Sequence, residues 1–355
     1  MLPVAAPALV LHGSAATAGL RCGRSRCTFV AANIVSRCQP TVTTMLPRWR
    51  GAAVLGILSA TWWRGAAGGA HRGGGSCFRR SSVRRNSTGI VAATTAFASW
   101  SPMGRSAAVF GFANTLGLGV SLATGSHVHL DLIGTGAFIP AAWATQGAGL
   151  RSRLSAGVIG LWALRLASFL FYRALQTGHD ARLDQTLSTA GGAIGFWAIS
   201  WLWGVLTCLP HVLGSGIADR PKLGFSGGAA LALCAFGLYW EIVADVQKWQ
   251  FKLDPANKGL FCNVGLWSLS QHPNYFGNLC LWTGIFLLNA PMILRSGRLK
   301  LLLGAMSPLF LAFLFYGQAS GKITKSAELF AQRYAGNPAF SDYVRRVPLI
   351  VPRLF

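Results

Sequence analysis

Acidic residues are missing from the first third of the chain. Residues 1–130 contain no Asp, no Glu and no Lys, yet they carry 13 Arg. All nine acids lie from Asp131 onward, beside the other 19 of the 32 basic residues. Charged residues of either sign make up only 12% of the chain, against about 25% in soluble domains. So few charges cannot cover a soluble globule of 355 residues; a lipid-facing exterior removes that difficulty. The eight cysteines include no CxxC pair, which argues against a metal site or a disulfide framework. Neither GxGxxG nor GxxxxGK[ST] occurs, so neither a Rossmann nor a P-loop phosphate site is indicated. His127 and His129 form an HxH, but no acid or Cys cluster completes a metal site around them. They read as an interfacial pair. No repeat of 20–50 residues is visible.

What is present is basic and apolar. The formal charge is +23, divided as +13 before Asp131 and +10 from there on. A basic patch raises nucleic-acid binding, but the Arg-rich region is Ala/Gly/Ser-rich and holds no RNA-binding motif, so no nucleic-acid partner is expected. An Arg- and Ser-rich, acid-free N-terminus reads instead as an organelle transit peptide. Residues 1–85 are therefore expected to be a disordered leader, and 86–355 a membrane-embedded domain. The apolar Pro3–Leu11 stretch lacks preceding bases, unlike a secretory signal, and suits the first part of a two-step plastid address. A plastid membrane is favoured, with endoplasmic reticulum and mitochondrion as alternatives.

Apolar runs long enough to span a bilayer begin after Ile90. A span needs about 20 mostly apolar residues. The candidates are roughly 106–124, 130–149, 154–172, 190–213, 224–244, 275–294 and 301–319. The runs are continuous, which excludes a barrel of short alternating segments. The expected fold class is thus all-α: a polytopic transmembrane helical bundle of about six to seven spans with a disordered N-terminal leader. The lipid bilayer is its first partner.

Chemistry is sought at helix ends and in the longer polar connections. If Gly237 to Lys252 is helical, then Glu241, Asp245, Lys248 and Lys252 share one face by i, i+3 and i+4 spacing. An ionisable group at membrane depth is costly and is a functional candidate by default. The alternative is an ion-pair ladder at an ordinary helix exit. On pattern alone the two stand level. Further on, Gln271-His272-Pro273-Asn274-Tyr275-Phe276-Gly277-Asn278 packs polar and aromatic groups just before an apolar run. Pro273 lacks a backbone donor and marks a helix boundary. Such density argues against a His merely satisfied by a backbone partner.

These segments resemble the DUF1295 group of the steroid 5α-reductase C-terminal superfamily. HPNYFG, preceded by Gly265-Leu266-Trp267, carries the resemblance together with three other pieces. Leu161 to Leu166 with Tyr172-Arg173 and Asp180-Ala181-Arg182 is similar to the family's WGLRL…R…D-x-R stretch. Glu241 to Lys252 is similar to its E-x-x-AD-x-QK segment. Tyr343 to Pro352 is similar to its terminal Y-x-x-x-x-P-x-x-I-P. Coverage is roughly 125–355, and order and spacing matter more than any single piece.

The resemblance implies a membrane bundle that holds NADPH in a C-terminal polar cavity and transfers hydride to a lipid carbon–carbon double bond. Carried over by position, Lys248 and Lys252 would meet the cofactor phosphates. Asn274, Tyr275 and His272 would line the nicotinamide–ribose region, with Trp267, Gln247 and Asn278 beside it, and Tyr343 would close the pocket. Glu241 and Asp245 would be structural or cofactor-adjacent. Tyr275 and His272 are the candidate proton donors, with no choice between them. The implied substrate is a hydrophobic, sterol- or isoprenoid-like lipid; no metal is implied.

The chain departs from the family's RHPNYFGE at both ends, with Gln271 for Arg and Asn278 for the acid. The first change removes a permanent charge that could pair with phosphate; the second leaves hydrogen bonding but no anion. After the last span, Gly321 is followed by Glu328 later than the family's G-x-x-x-x-E. Two other readings remain. One is an S-adenosylmethionine-dependent methyltransferase of the isoprenylcysteine carboxyl type, which shares a related loop. The other is a non-catalytic membrane protein that keeps the fold, which the Gln271 and Asn278 changes favour. The AD-x-QK segment favours the reductase.

Overall fold

The computed structural model describes residues 95–177, 187, 189–217, 221–323 and 326–353. The expected leader and the Asp180-Ala181-Arg182 part of the family pattern lie outside the described residues. Among the described residues there is no strand. The helices in chain order are α1 (Pro102–Thr124), α2 (Leu130–Gly136), α3 (Phe138–Thr145), α4 (Leu150–Thr177), α5 (Ala190–Ser215), α6 (Gly224–Leu253), α7 (Pro273–Arg295), α8 (Arg298–Ala319), α9 (Ser326–Arg333) and α10 (Pro338–Arg346). Two 3₁₀ turns, Pro255–Asn257 and Gly265–Ser268, lie between α6 and α7.

Six helices (α1, α4, α5, α6, α7 and α8) have 22 to 30 residues and are apolar enough to cross a membrane. At about 1.5 Å per residue even the shortest exceeds a hydrocarbon core of about 30 Å. The protein is a multi-pass membrane protein. One expected span, 130–149, is not a single helix. It breaks at Ala137 into α2 and α3. Pro140 is the cause: it has no N–H for the Gly136 carbonyl, and its ring crowds that turn.

The broken pair still returns along α1. His129 Nε2 lies 3.0 Å from the Gly117 carbonyl, the Phe110 and Phe138 rings meet at 4.8 Å, and Arg105 Nη1 donates to the Ala144 carbonyl at 2.7 Å. α4 therefore starts at the same end of the bundle as α1. At that end, buried Arg151 donates to the carbonyls of Lys222, Leu223 and Leu288, joining α4 to the start of α6 and to α7. The candidate site lies at the other end, where α4 and α6 finish and α7 begins.

The core between the ends is aromatic. Phe138 meets Trp162 at 5.2 Å, Trp203 at 4.9 Å and Trp282 at 5.6 Å. Most of these contacts are edge-to-face, the geometry that aromatic quadrupoles favour. Phe112, Ile199, Leu299, Leu309 and Phe313 point outward, as lipid-facing residues do.

α6 and α7 approach backbone to backbone through small residues. A Cβ on Gly277 would lie 2.6 Å from the Glu241 nitrogen and 2.7 Å from the Gly237 carbonyl oxygen. This contact is what brings Glu241 against the first turn of α7. Gly277→Ala is expected to cost about 1–3 kcal/mol, the range for overpacking, read as a lower thermal midpoint in detergent. Gly157→Ala, where an added Cβ meets nothing within 4 Å, should leave the midpoint unchanged or raise it slightly. Equal effects of the two would contradict the close packing.

Candidate functional site

Two acids of α6 meet one base of α4. Asp245 follows Glu241 by one turn, and Arg165 follows Trp162 by almost one, so the two faces match in register. Arg165 Nη2 donates to Asp245 Oδ2 at 2.8 Å, and its Nη1 lies 3.6 Å from Glu241 Oε1. Glu241 Oε2 also accepts from Trp162 Nε1 at 3.2 Å and from Asn278 Nδ2 at 3.3 Å. Glu241 is only 4% exposed. Its pairing is thus across helices to Arg165, and the ladder to lysines on its own helix is not what satisfies it. Asn278 takes a direct part here as a donor, a role that an acid at this position could fill only when protonated.

Lys248 stands one turn further along α6, with its Nζ 3.9 Å from the Trp267 ring centre, a cation–π contact. Trp267 Nε1 donates to the Ala244 carbonyl at 2.8 Å. Gln247 Oε1 accepts from the Leu266 N–H at 2.9 Å. Gln247 and Trp267 therefore tie the Gly265–Ser268 turn to α6. Gly265 has φ +55°, and a side chain there would run into the Gln247 amide, so the turn requires glycine. Lys252 lies exposed one further turn on. On α4, the Arg165 and Arg173 guanidiniums lie 5.3 and 5.9 Å from the Phe169 ring.

At the start of α7, His272 stacks on Tyr275 at 5.0 Å, and Tyr275 on Phe315 of α8 at 4.5 Å. His272 Nδ1 lies 3.3 Å from the Leu349 carbonyl. A carbonyl can only accept, so the proton sits on Nδ1. Burial and the nearby Lys248 charge pull the His272 pKa down to about 4, against a smaller opposing effect of the Leu349 hydrogen bond. The imidazole is neutral at pH 7, and its one N–H is already used. Asn274 Oδ1 is buried with no hydrogen-bond partner. So is Gln318 Oε1, one turn beyond Phe315.

The C-terminal tail straps this loop down. The Gln271 N–H donates to the Pro348 carbonyl at 2.9 Å, its side-chain Nε2 to Val347 at 2.7 Å and Val344 at 3.1 Å, and Ser270 Oγ to Ile350 at 2.7 Å. Tyr343 OH donates to the Trp267 carbonyl at 2.7 Å, and burial pushes its phenol up. Tyr343 also borders a polar cleft of about 540 Å³ lined by Asn263, Ser268, Arg346 and Arg353.

The structure thus gathers Glu241, Asp245, Lys248, His272, Asn274, Tyr275 and Asn278 at one end of the bundle. It places Gln247, Trp267 and Tyr343 in anchoring contacts beside them. Sequence reasoning missed Arg165 and Trp162 as the partners of Glu241, although both stand in the quoted Leu161–Leu166 motif. It also missed the use of the Gln271 amide. No group of His, Cys, Asp and Glu that could hold a metal occurs among the described residues.

A family model described as "Protein of unknown function (DUF1295)" matches residues 118–347, nearly two thirds of the chain. Neither the curated proteins nor the solved structures contain a match. The matched range takes in every helix that builds the site, from α4 to α10. The chain belongs to the DUF1295 family.

Proposed function

We propose that this protein is a membrane-embedded, NADPH-dependent reductase of a carbon–carbon double bond in an apolar, sterol- or isoprenoid-like lipid. The observation that carries the reading is the set of buried, unpartnered acceptors around the start of α7. Arg165 and Lys248 stand beside Glu241 and Asp245, so the site is lined by both signs of charge. Asn274 Oδ1 and Gln318 Oε1 are buried acceptors without partners, a costly state unless a ligand donates to them. A phosphorylated dinucleotide with an amide-bearing ring supplies donors for these acceptors, so the residues fit that group. Lys248, Lys252 and Arg173 would hold its phosphates; Asn274 and Gln318 would accept from its amide or sugar hydroxyls.

When bound, the cofactor supplies a hydride to one alkene carbon. The chain must then give a proton to the other carbon, so that the double bond becomes a saturated CH–CH unit. Of the two candidate donors, neutral His272 has its N–H on Leu349, and we assign the proton to the Tyr275 hydroxyl. The His272 and Phe315 rings hold the Tyr275 ring in place from both faces.

The test is a thermal-shift measurement on the full chain in detergent. NADPH at about 100 times its Kd should stabilise by about 2.7 kcal/mol, some 5–10 °C for a domain of this size. Lys252→Glu should abolish the shift. A shift with S-adenosylmethionine instead would point to the methyltransferase, and no shift with either to a protein that keeps the fold without the chemistry.

A further inference from the structure

The far end of the bundle carries a second feature that the reductase reading does not use. Along α1, residues 105, 108, 109, 112, 113 and 116 form one stripe by helical spacing. Along α2 and α3, residues 132, 133, 136, 137, 140 and 144 form the facing stripe. Between them runs an apolar groove of about 700 Å³, within the range of ligand sites. Its floor is made of small residues, among them Ala108, Ala113 and Gly136, while Phe112, Leu116 and Leu132 are exposed lips.

Arg105 lies just beyond the residues that line this groove. It sits one turn before Ala108 and Val109, and its Nη1 donates to the Ala144 carbonyl, one turn beyond Pro140. Its Nε is buried with no partner, and no carboxylate of a described residue pairs with it. Among the described residues its surroundings carry positive charges only. Arg153, Lys222, Arg298 and Lys300 lie at this end of the bundle, and the described residues of the same segments include no acid. A basic rim at the membrane surface attracts anionic lipid heads, and an arginine fork suits phosphate geometry. A choline head would set its own cation beside Arg105.

We infer that the groove between α1 and the α2–α3 pair is a binding site for an anionic glycerophospholipid. One acyl chain lies along the apolar stripe, and the head phosphate accepts from Arg105. The occupant is a resident lipid of the bilayer, and the site stands whether or not the protein is a reductase.

Native mass spectrometry of the full chain, equilibrated with equimolar phosphatidylglycerol and phosphatidylcholine, tests this. The expected result is a single retained phosphatidylglycerol, preferred by about tenfold or more. Arg105→Gln should remove the preference and Arg105→Lys should keep most of it. Val109→Trp, which fills the groove, should remove retention of both lipids. Equal retention of the two lipids by the unaltered chain would overturn the assignment of the head. So would an unchanged preference in Arg105→Gln, and retention that survives Val109→Trp would overturn the groove. If Arg105→Gln does not fold, the unaltered chain's lipid ratio and the Val109→Trp variant decide.

Discussion

Replacing Arg165 with methionine should cost about 3–5 kcal/mol of stability, the penalty for breaking a buried ion pair from one side. The three partners are well shielded: the Arg165 side chain is 16% exposed, that of Glu241 5% and that of Asp245 11%. Without the guanidinium, two carboxylates one helical turn apart lose the cation they share. Trp162 and Asn278 still donate to Glu241, but Asp245 loses its 2.8 Å partner outright. Stabilities of this order are a large part of the 5–15 kcal/mol typical of a domain, so the variant is expected to unfold well below the parent in detergent. Adding Asp245→Asn removes one of the stranded charges and should return part of the loss. That non-additivity is the signature of direct coupling. If Arg165→Met costs no more than about 1 kcal/mol, water screens the pair and the reading of a dry polar node fails. The ion pairs of Asp342 with Arg345 and Arg346 offer the contrast: both arginines are largely exposed, and such surface pairs contribute little.

The same node shows which parts of the molecule were legible in the sequence. The spans followed from run length, because lipid imposes a minimum number of apolar residues whatever their order. The α2–α3 break did not follow, since the 130–149 run has the right composition and its fate turns on Pro140 alone. Glu241 and Asp245 stood out because charge inside an apolar run is rare. Their partner did not, because Arg165 lies 76 and 80 residues away in sequence and only the packing of α4 on α6 joins them. The Gln271 amide is a similar case. As a departure from the family pattern it reads as a lost phosphate contact, yet its acceptors are carbonyls more than 70 residues downstream. Gln247 and Trp267 were legible by position only as neighbours of the cofactor; that they also tie the Gly265 turn to α6 comes from the fold. Helical spacing told which residues share a face, and tertiary contact decided what that face meets.

Tyr275→Phe should lower turnover by about 10²–10⁴-fold, the usual contribution of a positioned proton donor, while leaving the NADPH thermal shift intact. The ring is the structural part of this residue. It is 7% exposed and stacked between His272 and Phe315, and phenylalanine preserves both contacts. Only the hydroxyl is lost, so a fall in kcat without a fall in cofactor affinity separates proton transfer from binding. NADPH oxidation driven by a conjugated lipid enone gives the rate. His272→Gln should behave differently. Its imidazole is neutral, with Nδ1–H committed to Leu349, so its loss should shift the position of Tyr275 and lower the rate far less than loss of the hydroxyl. The pH profile adds a check on His272: a group that titrates near 4 cannot produce an activity loss between pH 6 and 8. Should Tyr275→Phe keep more than about a tenth of the parent rate, the proton comes from another group and the assignment of Tyr275 falls, even if NADPH binds as expected.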